Sequence, residues 1–186
     1  MKKRCRLIGI IGRIDARAYA PFAQAISDQG YLVVIVPMPL NLAFFGINRA
    51  DAVIEAFPDI DRWVVGGHSL GGPMAAEFAA NNADRLAGLT LWASYPGQNN
   101  DLSELPLPVL SIYGSNDGLA TQEDILESQN RLPANTEFVE IISGNHAGFG
   151  WYGGQEGDGE LAISRMEQQN QVVQAVINFL EGFRYE

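Results

Sequence analysis

Residues 62–72 read Arg62-Trp63-Val64-Val65-Gly66-Gly67-His68-Ser69-Leu70-Gly71-Gly72, an apolar run that passes directly into a glycine-rich turn. The alanine-rich segment Pro73–Asn81 follows, so the pattern predicts a buried strand, a sharp turn and a helix. Gly67 to Gly71 have G-x-S-x-G spacing, in which small residues let the chain turn tightly enough to expose the serine. The stretch therefore predicts Ser69 as a nucleophile at the apex of the turn. The alternative is a glycine-rich turn with an incidental serine.

Similar short apolar segments recur along the rest of the chain and are separated by helical patterns. Near-continuous apolar character is typical of parallel strands that are buried on both faces. With Trp63–Val65, the expected strands are Leu7–Ile11, Tyr31–Val36, Leu89–Trp92, Val109–Tyr113 and Phe138–Ile142. The expected helices are Tyr19–Gln29, Arg49–Phe57, Pro73–Asn81, a segment from Thr121 to near Leu132, and Leu161–Phe179. This alternation predicts the α/β class, with helices on both faces of a mostly parallel sheet.

Composition restricts the class of protein. The 186 residues are 47% hydrophobic and 18% charged, which favours one folded domain over residues 1–186. The net charge of −10 repels phosphate backbones and anionic membrane surfaces, so nucleic acid is not an expected partner. Cys5 is the only cysteine, which excludes an intrachain disulfide and favours the cytoplasm. No apolar run reaches the length of a membrane span.

A serine hydroxyl needs a base to take its proton, and the chain has two histidines. His68 adjoins Ser69, and neighbouring side chains on a strand point to opposite faces, so its ring is expected to pack beside the turn. His146 follows the last expected strand on a loop that can return to the serine. His146 is therefore the predicted base.

An acid must orient that base and stabilise its cation. Asp117 lies directly beyond the carboxyl end of the strand Val109–Tyr113, where a parallel sheet collects its functional groups. Asp101 and Glu104 also lie between the serine and the histidine, but neither follows a strand so closely. Asp117 is the preferred candidate, with a turn residue bonded to its own backbone as the alternative.

A tetrahedral intermediate also needs backbone donors for its oxyanion. The residue after the nucleophile, Leu70, is expected to supply one amide. The loop after the first strand is expected to supply the second from Gly12 or Arg13. Spacing does not decide between these two residues, and the alternative for Gly12 is an ordinary turn glycine.

With these residues placed, the chain resembles the small alpha/beta hydrolases of the fold-5 family, which is related to the dienelactone hydrolases. The resemblance extends over nearly the whole chain. Beyond the serine turn it rests on Ala18 to Pro21, Pro37 to Phe45, Gly88 to Pro96, Gly144 to Gly150 and Tyr152 to Gly159. Relatives resembling this chain usually have Pro-Gly-Gly where it has Ile10-Ile11-Gly12.

The resemblance implies a three-layer α/β/α sandwich with about six mostly parallel strands in the order 2-1-3-4-5-6. It implies the chain order serine, acid, histidine, which Ser69, Asp117 and His146 satisfy. The first two strands of the full fold are expected to be missing, one sheet edge to be exposed or paired with a second subunit, and no cap domain to be present. The substrate pocket is then expected among loop aromatics, whose alternative role is core packing: Phe44, Phe45, Tyr95, Phe149 and Trp151.

The expected activity is hydrolysis of a small carboxylic ester or lactone through an acyl-enzyme on Ser69. This chemistry needs no metal and no organic cofactor. The expected partner is a small-molecule ester, and both a monomer and a homodimer remain open. Two alternatives also remain: a thioesterase or acyltransferase with the same three residues, and a ligand-binding member of the fold with impaired turnover.

Overall fold

The computed structural model describes residues 6–11, 14–37 and 49–183. Its strands are β1 Arg6–Ile11, β2 Val33–Pro37, β3 Trp63–His68, β4 Leu86–Trp92, β5 Val109–Gly114 and β6 Glu137–Ile141. Its α-helices are α1 Ala20–Asp28, α2 Arg49–Ala56, α3 Gly71–Asn81, α4 Gln122–Ser128 and α5 Arg165–Glu181. Short 3-10 turns include Ala16–Tyr19, before α1, and Gln129–Arg131, after α4.

The strands of the described residues form one sheet in the order β2-β1-β3-β4-β5-β6. Every neighbouring pair is parallel. This order confirms the topology expected from the resemblance. Because the strands run in one direction, their carboxyl ends lie along the same edge of the sheet, where side chains from distant parts of the sequence can meet.

Helices cover both faces of the sheet and bury a separate apolar cluster on each. On one face, α1 and α5 pack against alternate sheet residues, with Phe22, Ile26, Val64, Leu110, Val172 and Val176 among the buried side chains. On the other face, α2 and α3 pack against the intervening residues, with Ala50, Val65, Ala75, Ala79, Leu89 and Val109 among them. Val64 and Val65 thus point to opposite layers, as strand geometry requires. The three-layer α/β/α class is confirmed.

Some expected boundaries are wrong, each for a local reason. Strand β3 continues to His68, so Gly66 and Gly67 belong to the strand and not to the turn. Gly66 is needed within the strand because a Cβ there would lie 2.5 Å from the Thr90 side chain of β4. The final helix begins at Arg165 and not at Leu161, since the Ser164 side chain accepts the Glu167 amide at 3.1 Å and caps it.

The helix after Thr121 begins as its sequence predicts. The Thr121 hydroxyl accepts a hydrogen bond from the Asp124 amide, and the Asp124 carboxylate accepts one from the Thr121 amide at 2.9 Å, which is a reciprocal capping box.

None of the described helices combines the length and apolarity needed to cross a membrane.

Candidate active site

Ser69 occupies the turn between β3 and α3 with a backbone φ of +54°. A serine in the left-handed region is strained and persists only where its surroundings hold it. Here the Ser69 amide donates to the Trp92 carbonyl at 3.1 Å, while the Ser69 carbonyl accepts the Gly72 amide at 2.9 Å and the Ser94 hydroxyl at 2.7 Å. These bonds to β4, to α3 and to the loop after β4 fix the position of the serine.

The glycines around Ser69 allow β3, the start of α3 and Ser94 to approach one another more closely than side chains would permit. A Cβ on Gly67 would lie 2.2 Å from the Gly71 carbonyl oxygen, and one on Gly72 would lie 2.0 Å from Ser94 Oγ. Both distances are too short for any real Cβ. The G-x-S-x-G spacing is therefore matched by a tight strand-to-helix turn with the serine at its apex.

Asp117 and His146 form a buried pair at the carboxyl ends of β5 and β6. His146 Nδ1 lies 2.9 Å from Asp117 Oδ2 and 3.1 Å from Oδ1, and the two side chains are 2% and 0% exposed. Asp117 Oδ1 also accepts the amides of Leu119 at 2.8 Å and Ala120 at 2.7 Å. Because an ionised carboxylate only accepts hydrogen bonds, Nδ1 of His146 is the donor in this pair, and in a neutral imidazole Nε2 then has the lone pair.

His146 and Ser69 border the same cavity, which encloses about 350 Å³. His146 Nε2 is buried and has no hydrogen-bond partner in the described part of the chain, so no bond joins it to the serine hydroxyl. Such bonds are often long in unliganded sites and tighten when substrate binds. The other described residues of the wall are mostly apolar: Ile14, Leu70, Pro73, Ala93, Ser94, Tyr95, Leu119, Ala120 and Gln155.

The two other acids considered from the sequence lie at the protein surface, whereas His146 is buried. Asp101 is exposed, and its carboxylate accepts the Ser103 amide at 2.9 Å in a local turn. Glu104 is exposed as well. Among the described residues, no cluster of histidine, aspartate and glutamate side chains has the arrangement of a metal site.

The sequence also matches a model of a known protein family. The model described as the alpha/beta hydrolase family matches residues 10–170. The chain belongs to the alpha/beta hydrolase family. No curated protein sequence matches it.

Solved structures of other hydrolases share the fold. A predicted CIB-like hydrolase of Thermoplasma acidophilum is 14% identical, with a TM-score of 0.72 over 98% of this chain and 88% of that one. Est1E of Butyrivibrio proteoclasticus, with ferulic acid bound, is 15% identical, with a TM-score of 0.71 over 97% of this chain and 90% of that one. A thermophilic esterase of Thermogutta terrifontis, with malate bound, is 16% identical, with a TM-score of 0.69 over 97% and 90%. At these identities, the likeness establishes the alpha/beta hydrolase fold.

The aromatic residues expected in the pocket of this alpha/beta hydrolase lie in different environments. Tyr95 is on the cavity wall. Phe149 is 2% exposed and packs in the core cluster of α1 and α5, so it is not one of the described wall residues. Trp151 is 47% exposed, with the Arg165 guanidinium 6.0 Å from the centre of its ring. Phe44 and Phe45 lie outside the described residues.

Of the three residues predicted to donate backbone amides to an oxyanion, the structure describes Leu70. Leu70 directly precedes α3, at a helix end whose amides have no intrahelical partner and where the helix dipole favours negative charge. Leu70 also lines the cavity, and its amide remains the predicted first oxyanion donor. Gly12 and Arg13 lie outside the described residues.

His68, the second histidine, lies behind the site and does not line the described cavity wall. It is 1% exposed, its Nδ1 lies 2.6 Å from the Tyr19 hydroxyl, and its ring stacks on Phe149 with 5.5 Å between ring centres. The His146 ring is 4.8 Å away and the Tyr152 ring 6.2 Å away. Burial lowers the pKa of His68 well below its usual value of 6.5, and the nearby His146 lowers that pKa further.

The lowered pKa of His68 predicts a specific dependence of stability on pH. Below pH 6.5 the unfolded chain binds a proton at His68 that the folded chain does not, so folding stability is lost as the pH falls. Well below pH 6.5 we expect this residue to reduce the free energy of unfolding by on the order of 1 kcal/mol per pH unit, which is the limiting slope for one proton. In His68→Asn, whose side-chain amide can pair with the Tyr19 hydroxyl as donor or as acceptor, this contribution should vanish. Urea unfolding at pH 5, 6 and 7.5 tests this, and equal pH slopes for the two proteins would contradict it.

Proposed function

We propose that this chain is a serine hydrolase that cleaves small carboxylic esters or lactones, with Ser69 as nucleophile, His146 as base and Asp117 as supporting acid. The main support is the buried Asp117–His146 pair, because it leaves the His146 Nε2 lone pair free beside the cavity that Ser69 also borders. The mostly apolar wall suits an uncharged acyl group. Membership of the alpha/beta hydrolase family is consistent with this chemistry.

In the first half of the reaction, Ser69 Oγ attacks the ester carbonyl carbon as its proton passes to His146 Nε2. The carbonyl oxygen becomes an oxyanion that accepts a hydrogen bond from the Leu70 amide and a second one from the amide of Gly12 or Arg13. Asp117 stabilises the resulting imidazolium through Nδ1. The carbon–oxygen bond to the leaving alcohol then breaks, the alcohol takes the proton from Nε2, and the acyl group remains on Ser69.

In the second half, water replaces the alcohol. His146 Nε2 takes a proton from the water as its oxygen attacks the acyl carbon, and a second oxyanion forms in the same position. When this intermediate collapses, the proton on Nε2 returns to Ser69 Oγ, and the carboxylic acid leaves. The mechanism uses only side chains and amides of this chain and water.

A fluorophosphonate probe tests the proposal directly. We expect one label per protein molecule, on the peptide that contains Ser69, because the probe reacts only with an activated serine. Hydrolysis of p-nitrophenyl acetate and butyrate should accompany the labelling. A folded wild-type protein that neither reacts with the probe nor hydrolyses either ester would overturn the proposal and favour a ligand-binding role. The labelled peptide is identified by mass spectrometry, and heat-unfolded protein is the control.

A further inference from the structure

The loop that carries His146 is held by a carboxylate outside the three proposed catalytic residues. Asp158 Oδ1 accepts the His146 amide at 3.0 Å, and Asp158 Oδ2 accepts the Ala147 amide at 2.8 Å. Asp158 Oδ1 also accepts a hydrogen bond from the amide of the next residue, Gly159, at 2.8 Å and one from the Gly118 amide at 3.3 Å. One side chain thus binds the backbone of the base itself and the backbone of the residue that follows the acid Asp117.

The backbone around Asp158 is packed directly against the acid loop. A Cβ on Gly159 would lie 1.9 Å from the Asn116 carbonyl oxygen, and a Cβ on Gly118 would lie 2.4 Å from the Gly157 carbonyl oxygen. Because no side chain separates the two segments, a displacement of residues 157–159 is transmitted to the loop that holds Asp117. Asp158 therefore occupies the place where the acid loop and the base loop meet.

The same residue also fixes part of the cavity wall. The Asp158 amide donates to the Gln155 carbonyl at 3.1 Å and closes a turn in which Gly157 has φ +85°. Gln155 lines the cavity that contains Ser69 and His146. The position of this wall residue and that of the base thus depend on one anchored turn.

We propose that Asp158 is a positioning residue, which sets the geometry of His146 relative to Asp117 and Ser69 and holds Gln155 at the cavity. This inference rests on the proposed hydrolase function. Asp158 is not among the described residues that line the cavity, and within the described part of the chain its side-chain hydrogen bonds are to backbone amides. Its effect is therefore expected in the chemical step, where a displacement of about 1 Å costs on the order of 100-fold in rate.

Asp158→Asn is the informative change, because it preserves size and removes one acceptor. Three of the four amides point at Oδ1, so the new side chain keeps its oxygen there and turns its NH2 group toward the Ala147 amide. Two donors then face each other next to His146. We expect kcat for p-nitrophenyl acetate to fall about 10- to 100-fold, with KM changed less than about threefold. The rate of fluorophosphonate labelling should fall by a similar factor.

Glu156→Gln is the matched control, because it removes one negative charge from an exposed side chain of the same turn. Its kcat is expected to stay within about twofold of wild type. All rates are measured at a temperature at which circular dichroism shows the proteins folded, so that a loss of stability alone leaves kcat unchanged. A folded Asp158→Asn protein with wild-type kcat would overturn the proposal, as would an equal loss in Glu156→Gln.

Hydrogen exchange keeps the proposal testable if Asp158→Asn does not fold or if the wild type has no esterase activity. In wild type, the amides of His146 and Ala147 should exchange more slowly than in an unstructured peptide, and in folded Asp158→Asn the exchange should accelerate. Unprotected wild-type amides would overturn the proposal. Protected amides in a wild type that fluorophosphonate does not label would instead show that the anchoring exists and the hydrolase assignment fails.

Discussion

Replacement of Ser69 by alanine is expected to lower kcat for p-nitrophenyl acetate by on the order of 10⁴-fold or more. The acyl-enzyme cannot form without the hydroxyl, and any residual rate comes from the oxyanion donors and from binding alone. Fluorophosphonate labelling should disappear completely. KM should change little, because the cavity wall is otherwise intact. Steady-state kinetics and mass spectrometry of the treated protein measure both effects.

Ser94→Ala is the control for Ser69→Ala. Ser94 lines the same cavity, and its hydroxyl donates to the Ser69 carbonyl at 2.7 Å, so the change removes a second hydroxyl close to the first. We expect a loss within about tenfold, because Ser94 supports the turn without supplying the nucleophile. If Ser69→Ala keeps more than a tenth of wild-type kcat, or if the probe labels Ser94 instead, Ser69 is not the nucleophile.

Much of this site can be predicted from the sequence, because the end of an apolar run marks the end of a buried strand. The mostly apolar run Val109–Tyr113 stops at Gly114, so Asp117 is expected at the carboxyl edge of the sheet. The glycines around Ser69 predict a tight turn, and the structure shows the close backbone contacts that require them. Position relative to a buried strand is a local property, and local patterns predict it well.

Other features of the site depend on contacts between segments that are distant in the sequence, and a local pattern does not predict such contacts. Phe149 and Tyr95 are both aromatic residues in loops, yet Phe149 joins the core while Tyr95 lines the cavity. Met166 is an apolar residue in the first turn of α5, yet it is 62% exposed. Asp158 stands in a glycine-rich stretch that reads as a solvated loop, and its role requires the base loop to be in place.

Asp117→Asn is expected to reduce kcat by on the order of 10⁴-fold while leaving the fold intact. Asp117 Oδ1 accepts two backbone amides, so the asparagine will direct its oxygen to Leu119 and Ala120 and its NH2 group to His146 Nδ1. The imidazole must then accept at Nδ1 and carry its proton on Nε2. In that tautomer Nε2 has no lone pair to receive the Ser69 proton, so the nucleophile is not activated.

Asp101→Asn is the comparison that separates a catalytic carboxylate from any other acid between the serine and the histidine. Its side chain is exposed, and an asparagine there can still accept the Ser103 amide, so kcat should remain within about twofold of wild type. Both variants should unfold near the wild-type urea midpoint, because each retains its local backbone bonds. A large loss in Asp101→Asn with little loss in Asp117→Asn would move the acid to Asp101. A large loss in Asp117→Asn alone would mean that the pair with His146 sets the tautomer on which catalysis depends.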